Sequence, residues 1–447
     1  MLKRFTVENF LSYKDENILD LTAGGTEFHQ NHLVDFKKVK ILKSAIIYGA
    51  NASGKSNLIK AIEYAKDIII GGLKNTDTQK KYFRLDETSS KKETQFEFEL
   101  EIDGRFYSYG FSSILVYKKI EEEWLYEIGQ NSPKMIFERK LNSIELGISL
   151  NQKSIKSRFE IYVDDMKNQS DKLFLSEIAN KDLENNEIDV LNSIYKWFDE
   201  KLIILYPDTN LGHISSIEND NSLSEVFKKH FKIFDTGIIN ISSIEEDFEK
   251  TFKNFPKEIK IEIEKDLAEE KNKNKNRKVI LRGSNGLLIT IYKNEDNELK
   301  IRKLKFSHTK ENGDVFDLED ESDGTKRLFD LIPIITKFND DYTIVIDELD
   351  RSLHPMLTKA FFKLFYKKNN AKSQLIVASH ESILLDLELV RRDEIWFAEK
   401  NKNGASKLFS LNEFKERYDK KIEKAYLLGR YGAIPVFKTF DEIDMES

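Results

Sequence analysis

The sequence predicts an α/β fold built on a parallel sheet and interrupted by a long α+β insertion. Three stretches carry that expectation. "AIIYGANASGKSN" (Ala45–Asn57) joins an apolar run to a glycine-bearing loop and a helix-forming segment. "YTIVIDELD" (Tyr342–Asp350) is a second apolar run ending on carboxylates, and "SQLIVASH" (Ser373–His380) a third ending on a histidine. Strands buried on both faces read as continuous apolar runs, and ligands of parallel sheets gather beyond the carboxyl ends of the strands.

In the first stretch Gly49 and Gly54 flank four residues, and Lys55 and Ser56 follow, which fits the phosphate-binding pattern G-x-x-x-x-G-K-[ST]. Glycines let backbone N–H groups fold around an anion, a lysine reaches the β- and γ-phosphates, and a hydroxyl ligates Mg²⁺. The helix start at Leu58 adds a favourable dipole for phosphate. Gly49, Asn51, Gly54, Lys55, Ser56 and Asn57 are therefore the candidate nucleotide-binding positions, with ATP and Mg²⁺ the implied ligands. A chance match in an ordinary turn is the competing reading. The strand before the loop and the helix after it count against that reading.

Along the chain, Phe5–Phe10 alternates like a strand, with Ile18–Leu21 as its hairpin partner. Thr94–Leu100 and Arg105–Phe111 read as a hairpin turning at Asp103-Gly104. Ile188, Leu191, Ile194, Phe198 and Leu202 recur at helical spacing, and a second helix is expected around Leu223–Phe234. The charged run "EEKNKNKNRK", residues 269–278, has no apolar face and reads as a linker or solvated helix end. Val279–Leu281, Leu287–Tyr292 and Lys300–Phe306 then look like strands. The expected divisions are an N-terminal lobe, 1–115, an insertion, 116–315, helical first and β later, and a C-terminal lobe, 316–447. The softest point is expected near 265–278.

Bulk properties narrow the function classes. Of 447 residues, 40% are hydrophobic and 33% charged, as suits a soluble protein with a sizeable core. The net charge of −7 does not draw nucleic acid to the surface as a whole, although a local basic patch is compatible with it. With no cysteine, disulfides, thiolate nucleophiles and cysteine-based zinc sites are excluded. The N-terminus lacks the apolar core of a signal peptide, and the longest apolar runs fall far short of the roughly 20 residues that span a bilayer. A cytoplasmic location without membrane contact is expected.

Beyond the second apolar run, Asp347 is the candidate Mg²⁺ ligand with Ser56, and Glu348 the candidate general base for an attacking water. His380 follows the third run and is the candidate γ-phosphate sensor. "ESDGTKRL" offers Ser322 and Gly324 at a helix start as an anion-binding corner, although the same letters spell an ordinary N-cap turn.

The order of these pieces resembles the heads of ATP-binding-cassette ATPases. The long insertion without membrane segments brings it nearer the SMC, RecF and Rad-fifty-like branch. In that comparison Ser322–Thr325 occupies the signature motif, with Asp323 in place of its first glycine, and Ser352-Leu353-His354 stands at the D-loop. No glutamine suits the Q-loop: Gln79 lies in a polar stretch and Gln95 precedes a strand. A closer resemblance rests on "VENFLSYKD", "YFRLD", "ESDGTKRL", "DELDRSLHP", "DEIWFAEK" and "GRYGAIP". These stretches are similar to the AAA-family ATPases of bacterial phage defence, relatives of the overcoming-lysogenization-defect ATPases, of the stand-alone RloA/AbiLi type.

That resemblance implies ATP hydrolysis by a homo-oligomer, at least a dimer, that controls a separately encoded toxin or nuclease and answers a phage-derived trigger. No nuclease domain is expected in the chain itself, since the tail after His380 has no clustered carboxylates with a second buried sheet. A DNA-repair or recombination ATPase of the RecF or SMC kind is the alternative, and it needs a basic DNA track. A transporter's ATPase subunit is disfavoured by the size of the insertion.

Overall fold

The computed structural model describes residues 1–129, 132–147, 153–166, 169–179, 181, 189–207, 221–252, 257–268, 278–282, 288–294, 296–309, 313–368, 371–414 and 421–434. The chain forms two compact units. The first comprises Met1–Tyr206, Phe338–Asp350 and Phe361–Ser447, the second Pro207–Lys337 and Arg351–Ala360.

In the first unit, β1 (Leu2–Glu8) and β2 (Asn17–Asp20) pair antiparallel, with Phe5 opposite Leu19. A small ribbon, β3 (Leu33–Asp35) with β4 (Lys40–Leu42), precedes β5 (Ser44–Tyr48), whose five residues are all buried. Helix α1 (Lys55–Gly71) follows the glycine loop. The hairpin β6 (Thr94–Ile102) and β7 (Arg105–Ile114) turns at Asp103 and Gly104, with φ of 50° and 80°. Left-handed residues at both turn positions match the twist of the flanking strands.

The expected helical start of the insertion, and the boundary at 115, do not hold. Strands β8 (Lys119–Ile128), β9 (Lys134–Lys140) and β10 (Ser143–Leu146) extend the same sheet, in the order β10-β9-β8-β7-β6-β1-β2. The sheet signal was hidden because its inward face carries charge. Glu123 and Arg139 lie opposite each other in register, and both are fully buried. Glu123 accepts from the backbone N–H groups of Phe174 (2.6 Å) and Leu175 (3.0 Å), at the start of a short helix, and from the Tyr109 hydroxyl (3.1 Å). Arg139 donates to the carbonyls of Leu141, Gln169 and Lys172. Burial raises the Glu123 pKa, and the Arg139 charge opposes that shift.

Helices α2 (Lys153–Met166), α3 (Phe174–Ala179) and α4 (Asp189–Lys196) lead to β11 (Leu202–Leu205). The helix expected over 188–202 is present from Asp189 to Lys201, α4 being continued by a π-helical stretch, Trp197–Lys201. Leu191, Ile194 and Phe198 are buried on it, and only Leu202 falls outside, in β11. The run "LIIL" is a strand because a parallel neighbour covers it. Ile188 lies outside the described residues.

The second unit contains α5 (Asn221–Ile233), β12 (Asn240–Asp247), α6 (Phe248–Thr251) and α7 (Lys257–Ala268). Three strands follow, β13 (Lys278–Arg282), β14 (Leu288–Lys293) and β15 (Leu299–Ser307). The short β16 (Phe316–Asp317) pairs with β15, and helix α8 (Asp323–Ile335) closes the run. Its antiparallel sheet runs β12-β15-β14-β13, with Phe248, Ile263, Ile289, Ile291 and Ile301 as a core cluster. The charged run at 269–277 lies outside the described residues.

The parallel sheet of the first unit is completed late. β17 (Thr343–Ile346), helix α9 (Pro355–Lys368), β18 (Gln374–Ala378), β19 (Ile395–Lys400), β20 (Ser406–Ser410) and α10 (Ile422–Leu427) are the last elements among the described residues. The sheet order is β11-β17-β18-β5-β19-β20, with β20 antiparallel and the rest parallel. The ladder places Ile346 beside Val377 and Val377 beside Ile46. The carboxyl ends of β17, β18 and β5 therefore stop at one level.

Buried Gln374 ties strands together at the opposite end of the sheet. Its side chain accepts from Leu2 N–H (2.6 Å) and Thr343 Oγ1 (3.1 Å), and donates to the carbonyls of Leu2 and Leu42.

Candidate active site

The loop between β5 and α1 is fixed by steric need. A Cβ on Gly49 would collide with the Ala398 carbonyl and the Ser53 hydroxyl, and one on Gly54 with the Ser406 hydroxyl. Gly54 also has φ of +116°, a conformation that side-chain-bearing residues avoid. Lys55 is only 5% exposed, and its Nζ donates to the carbonyls of Gly49 (2.8 Å) and Ala50 (3.1 Å). Burial lowers its pKa to about 8, against the opposing pull of Asp347, Asp350 and Glu348. Asn51 is exposed on the loop.

Opposite the loop, Ser56 Oγ donates to Asp347 Oδ1 at 3.1 Å, and Asp347 N–H donates to the Leu205 carbonyl at the end of β11. Asp347 is buried, and burial raises its pKa while the Ser56 hydroxyl opposes the rise. Glu348 has φ of +47°. A left-handed glutamate costs about 1–2 kcal/mol and persists only where the surroundings enforce it, and such positions cluster at working sites.

Asp350, one turn on, accepts from the His380 backbone N–H through both carboxylate oxygens at 3.3 Å. Desolvation, and then the positive charge of Lys55, lowers the His380 pKa. The shift favours the neutral imidazole. Lys55, Ser56, Asp347, Glu348 and His380 converge beyond the carboxyl ends of three adjacent parallel strands. An ammonium, a hydroxyl and two carboxylates grouped in this way suit a polyphosphate with a hard divalent cation, since Mg²⁺ takes a few protein oxygens and completes its shell with phosphate and water. Among the described residues no group of three or more His, Asp and Glu forms a metal cage of its own.

Supporting residues that sequence reasoning missed come from distant turns. Ser406 Oγ donates to the Ser53 carbonyl (2.7 Å) and lies 2.8 Å from Ser12 Oγ, which also accepts from Asn57 Nδ2 (2.8 Å). Tyr13 donates its hydroxyl to the Gly54 carbonyl at 3.1 Å. Asn57 thus braces the loop through Ser12. Ser12 and Tyr13 lie within the "VENFLSYKD" stretch, but no spacing or composition marks them or Ser406 as braces, because their partners lie tens to hundreds of positions away.

Ser322 and Gly324 belong to the second unit. Ser322 is the N-cap of α8, its Oγ accepting from Thr325 N–H at 3.2 Å. A Cβ on Gly324 would lie 3.0 Å from the Ser352 carbonyl, so the two stretches compared with signature and D-loop pack closely. Gln95 lies in β6, paired with Ser112 and Glu8, and Gln79 in the loop before β6.

A parallel-sheet fold with this loop and carboxylate pair is that of a P-loop nucleoside triphosphatase. The family described as "AAA domain, putative AbiEii toxin, Type IV TA system" matches residues 44–386, and the chain belongs to that family. No curated protein matches it. Among solved structures, an SMC head bound to the C-winged helix domain of ScpA is similar at 15% identity and a TM-score of 0.39, covering 92% of this chain and 98% of that one. The SMC head domain from Thermotoga maritima is 13% identical, with a TM-score of 0.35 and the same coverage. An Smc head domain with an extended coiled coil, bound to the C-terminal domain of ScpA derived from Pyrococcus furiosus, gives 13% and 0.35, covering 92% of this chain and 97% of that one. No described helix is long and apolar enough to cross a membrane.

Proposed function

We propose that the chain is a Mg²⁺-dependent ATPase that acts as sensor and regulator in an anti-phage, abortive-infection system. ATP is sandwiched between subunits of a homo-oligomer, and the closed state controls a separately encoded toxin or nuclease. The observation that carries the catalytic part is the meeting of Lys55, the Ser56–Asp347 pair and Glu348 at one end of the sheet. The family description, which names a toxin and a type IV toxin–antitoxin system, supports a two-gene toxic setting.

In this reading Lys55 holds the β- and γ-phosphates, and Ser56 and Asp347 hold Mg²⁺, which neutralises phosphate charge when bound. Glu348 orients the attacking water and accepts its proton. Neutral His380, anchored by Asp350, donates a hydrogen bond to the γ-phosphate. Ser322 of one subunit caps the ATP held by Lys55 of another. A trigger moves the closed state only through its differential affinity for the open and closed forms.

Two measurements test this. Purified protein should release phosphate from ATP in a Mg²⁺-dependent, Lys55-dependent manner. Cells carrying the chain with its neighbouring gene should lose phage protection when Lys55→Ala is introduced. Absence of phosphate release, or protection that survives Lys55→Ala, sinks the reading. Salt-sensitive DNA binding without any toxic partner favours the repair alternative.

A further inference from the structure

Helix α1 is joined to the sheet ends by more than the Ser56–Asp347 contact. Glu63 lies two turns after Ser56 on the same helix face, and its Oε2 accepts from the Tyr206 hydroxyl at 2.7 Å. Tyr206 directly follows β11, whose last residue, Leu205, pairs in register with Ile346 and accepts from Asp347 N–H at 2.8 Å. Tyr206 and Asp347 are thus the residues that directly follow two neighbouring parallel strands. A further tie, Lys66 Nζ to the Leu202 carbonyl at 2.7 Å, fixes α1 along the same strand. Burial, and then the hydrogen bond to Glu63, raises the Tyr206 pKa.

We propose that Tyr206 and Glu63 form an outer brace of the metal side of the site, with Tyr206 as a positioning residue that sets the spacing between Ser56 and Asp347. The inference rests on the Mg²⁺–ATP reading above. Groups hydrogen-bonded directly to metal ligands are worth about 10–100-fold in metal affinity. Tyr206 and Glu63 act one step further out, by holding helix α1, which carries Ser56, to the end of β11, whose Leu205 carbonyl accepts from Asp347. The brace acts through a hydrogen bond and not through a charge. An amide oxygen at position 63 therefore still serves, whereas loss of the phenol hydroxyl does not.

The test is the gain in affinity for a fluorescent ATP derivative on adding Mg²⁺, measured against the same titration in EDTA. Tyr206→Phe should cut the Mg²⁺-dependent gain by about tenfold or more and leave the EDTA affinity unchanged. Glu63→Gln should stay within about threefold of wild type, and Glu63→Leu should match Tyr206→Phe. The double variant Tyr206→Phe/Glu63→Leu should be no worse than either single variant, as expected of two residues acting as one unit. A Tyr206→Phe protein with an undiminished Mg²⁺ gain overturns the brace alone, as do additive losses in the double variant. A wild type that binds equally well with Mg²⁺ and EDTA overturns the Mg²⁺–ATP reading as well. Should Tyr206→Phe fold poorly, the Glu63→Gln and Glu63→Leu comparison decides the matter on an intact tyrosine.

Discussion

The Ser56 hydroxyl donates to Asp347 across 3.1 Å and 291 positions of sequence. The first residue lies in the first turn of α1, and the second follows directly on β17. Phosphate loop and carboxylate pair are thereby brought to one point, with Glu348 next in line. Glu348→Gln should keep ATP binding and lower turnover by about 10²–10⁴-fold, since an amide does not accept the water's proton. Phosphate release should stop while ATP-loaded oligomers accumulate on a sizing column. Normal release by this variant would remove Glu348 from the catalytic role.

If Lys55 holds the phosphates as proposed, its burial should make nucleotide affinity depend on pH. Its folded pKa, about 8, lies below the ordinary 10.5. Between those values the unfolded chain holds a proton that the folded chain has released, so the free protein gains stability as pH rises through this window. Phosphate binding needs the charged form. Affinity for ATP should therefore be level below pH 8 and fall by up to about tenfold per pH unit above it. Lys55→Arg, which does not titrate in this range, should give a flatter profile. A wild-type profile that is flat from pH 7 to 9.5 contradicts the lowered lysine pKa.

Ser406 carries no chemistry in this scheme, yet its hydroxyl braces the loop through Ser53 and Ser12. Ser406→Ala leaves a buried carbonyl without its donor and should cost about 1–3 kcal/mol of stability. Thermal unfolding would show this as a lower midpoint, and ATP affinity should weaken with it. An unchanged midpoint would mean that the loop is held without Ser406.

The composite site can be tested by mixing defects. Ser322→Arg and Lys55→Ala should each be inactive as homo-oligomers. Random remixing into dimers makes half of them mixed, each with one intact site, so roughly a quarter of wild-type turnover should return if sites fire independently. If Ser322 serves only as the N-cap of α8, the substitution costs about 1 kcal/mol and turnover survives. Verified mixed dimers that stay inactive would mean obligately coupled sites, or a Ser322 that acts within its own subunit.

The nucleotide side of the fold was legible because its strands are apolar throughout and end on chemically distinctive residues. Ala45–Tyr48, Thr343–Ile346 and Leu375–Ala378 need no partner to be recognised. Strands β8 to β10 were not legible, since Glu123 and Arg139 put charge on the inward face and broke the alternation. Leu202 was absorbed into the preceding helix because it continues the helical spacing of Leu191, Ile194 and Phe198, whereas it opens β11. The loop's braces were invisible for another reason. A hydroxyl such as that of Ser12 or Ser406 gains meaning only from a partner brought close by folding.

The strand order β11-β17-β18-β5-β19-β20 has a bearing on how the chain is made. Strand β5 is synthesised early, but its two neighbours, β18 and β19, emerge some 330 residues or more later. At about 5–20 residues per second the ribosome needs on the order of 15–70 s to supply them. Throughout that time the apolar edges of Ala45–Tyr48 have no native cover, and a nascent chain has the phosphate loop without the carboxylates that face it. Release before Asp347 would free a fragment with β5 uncovered on both sides and the phosphate loop without its carboxylates.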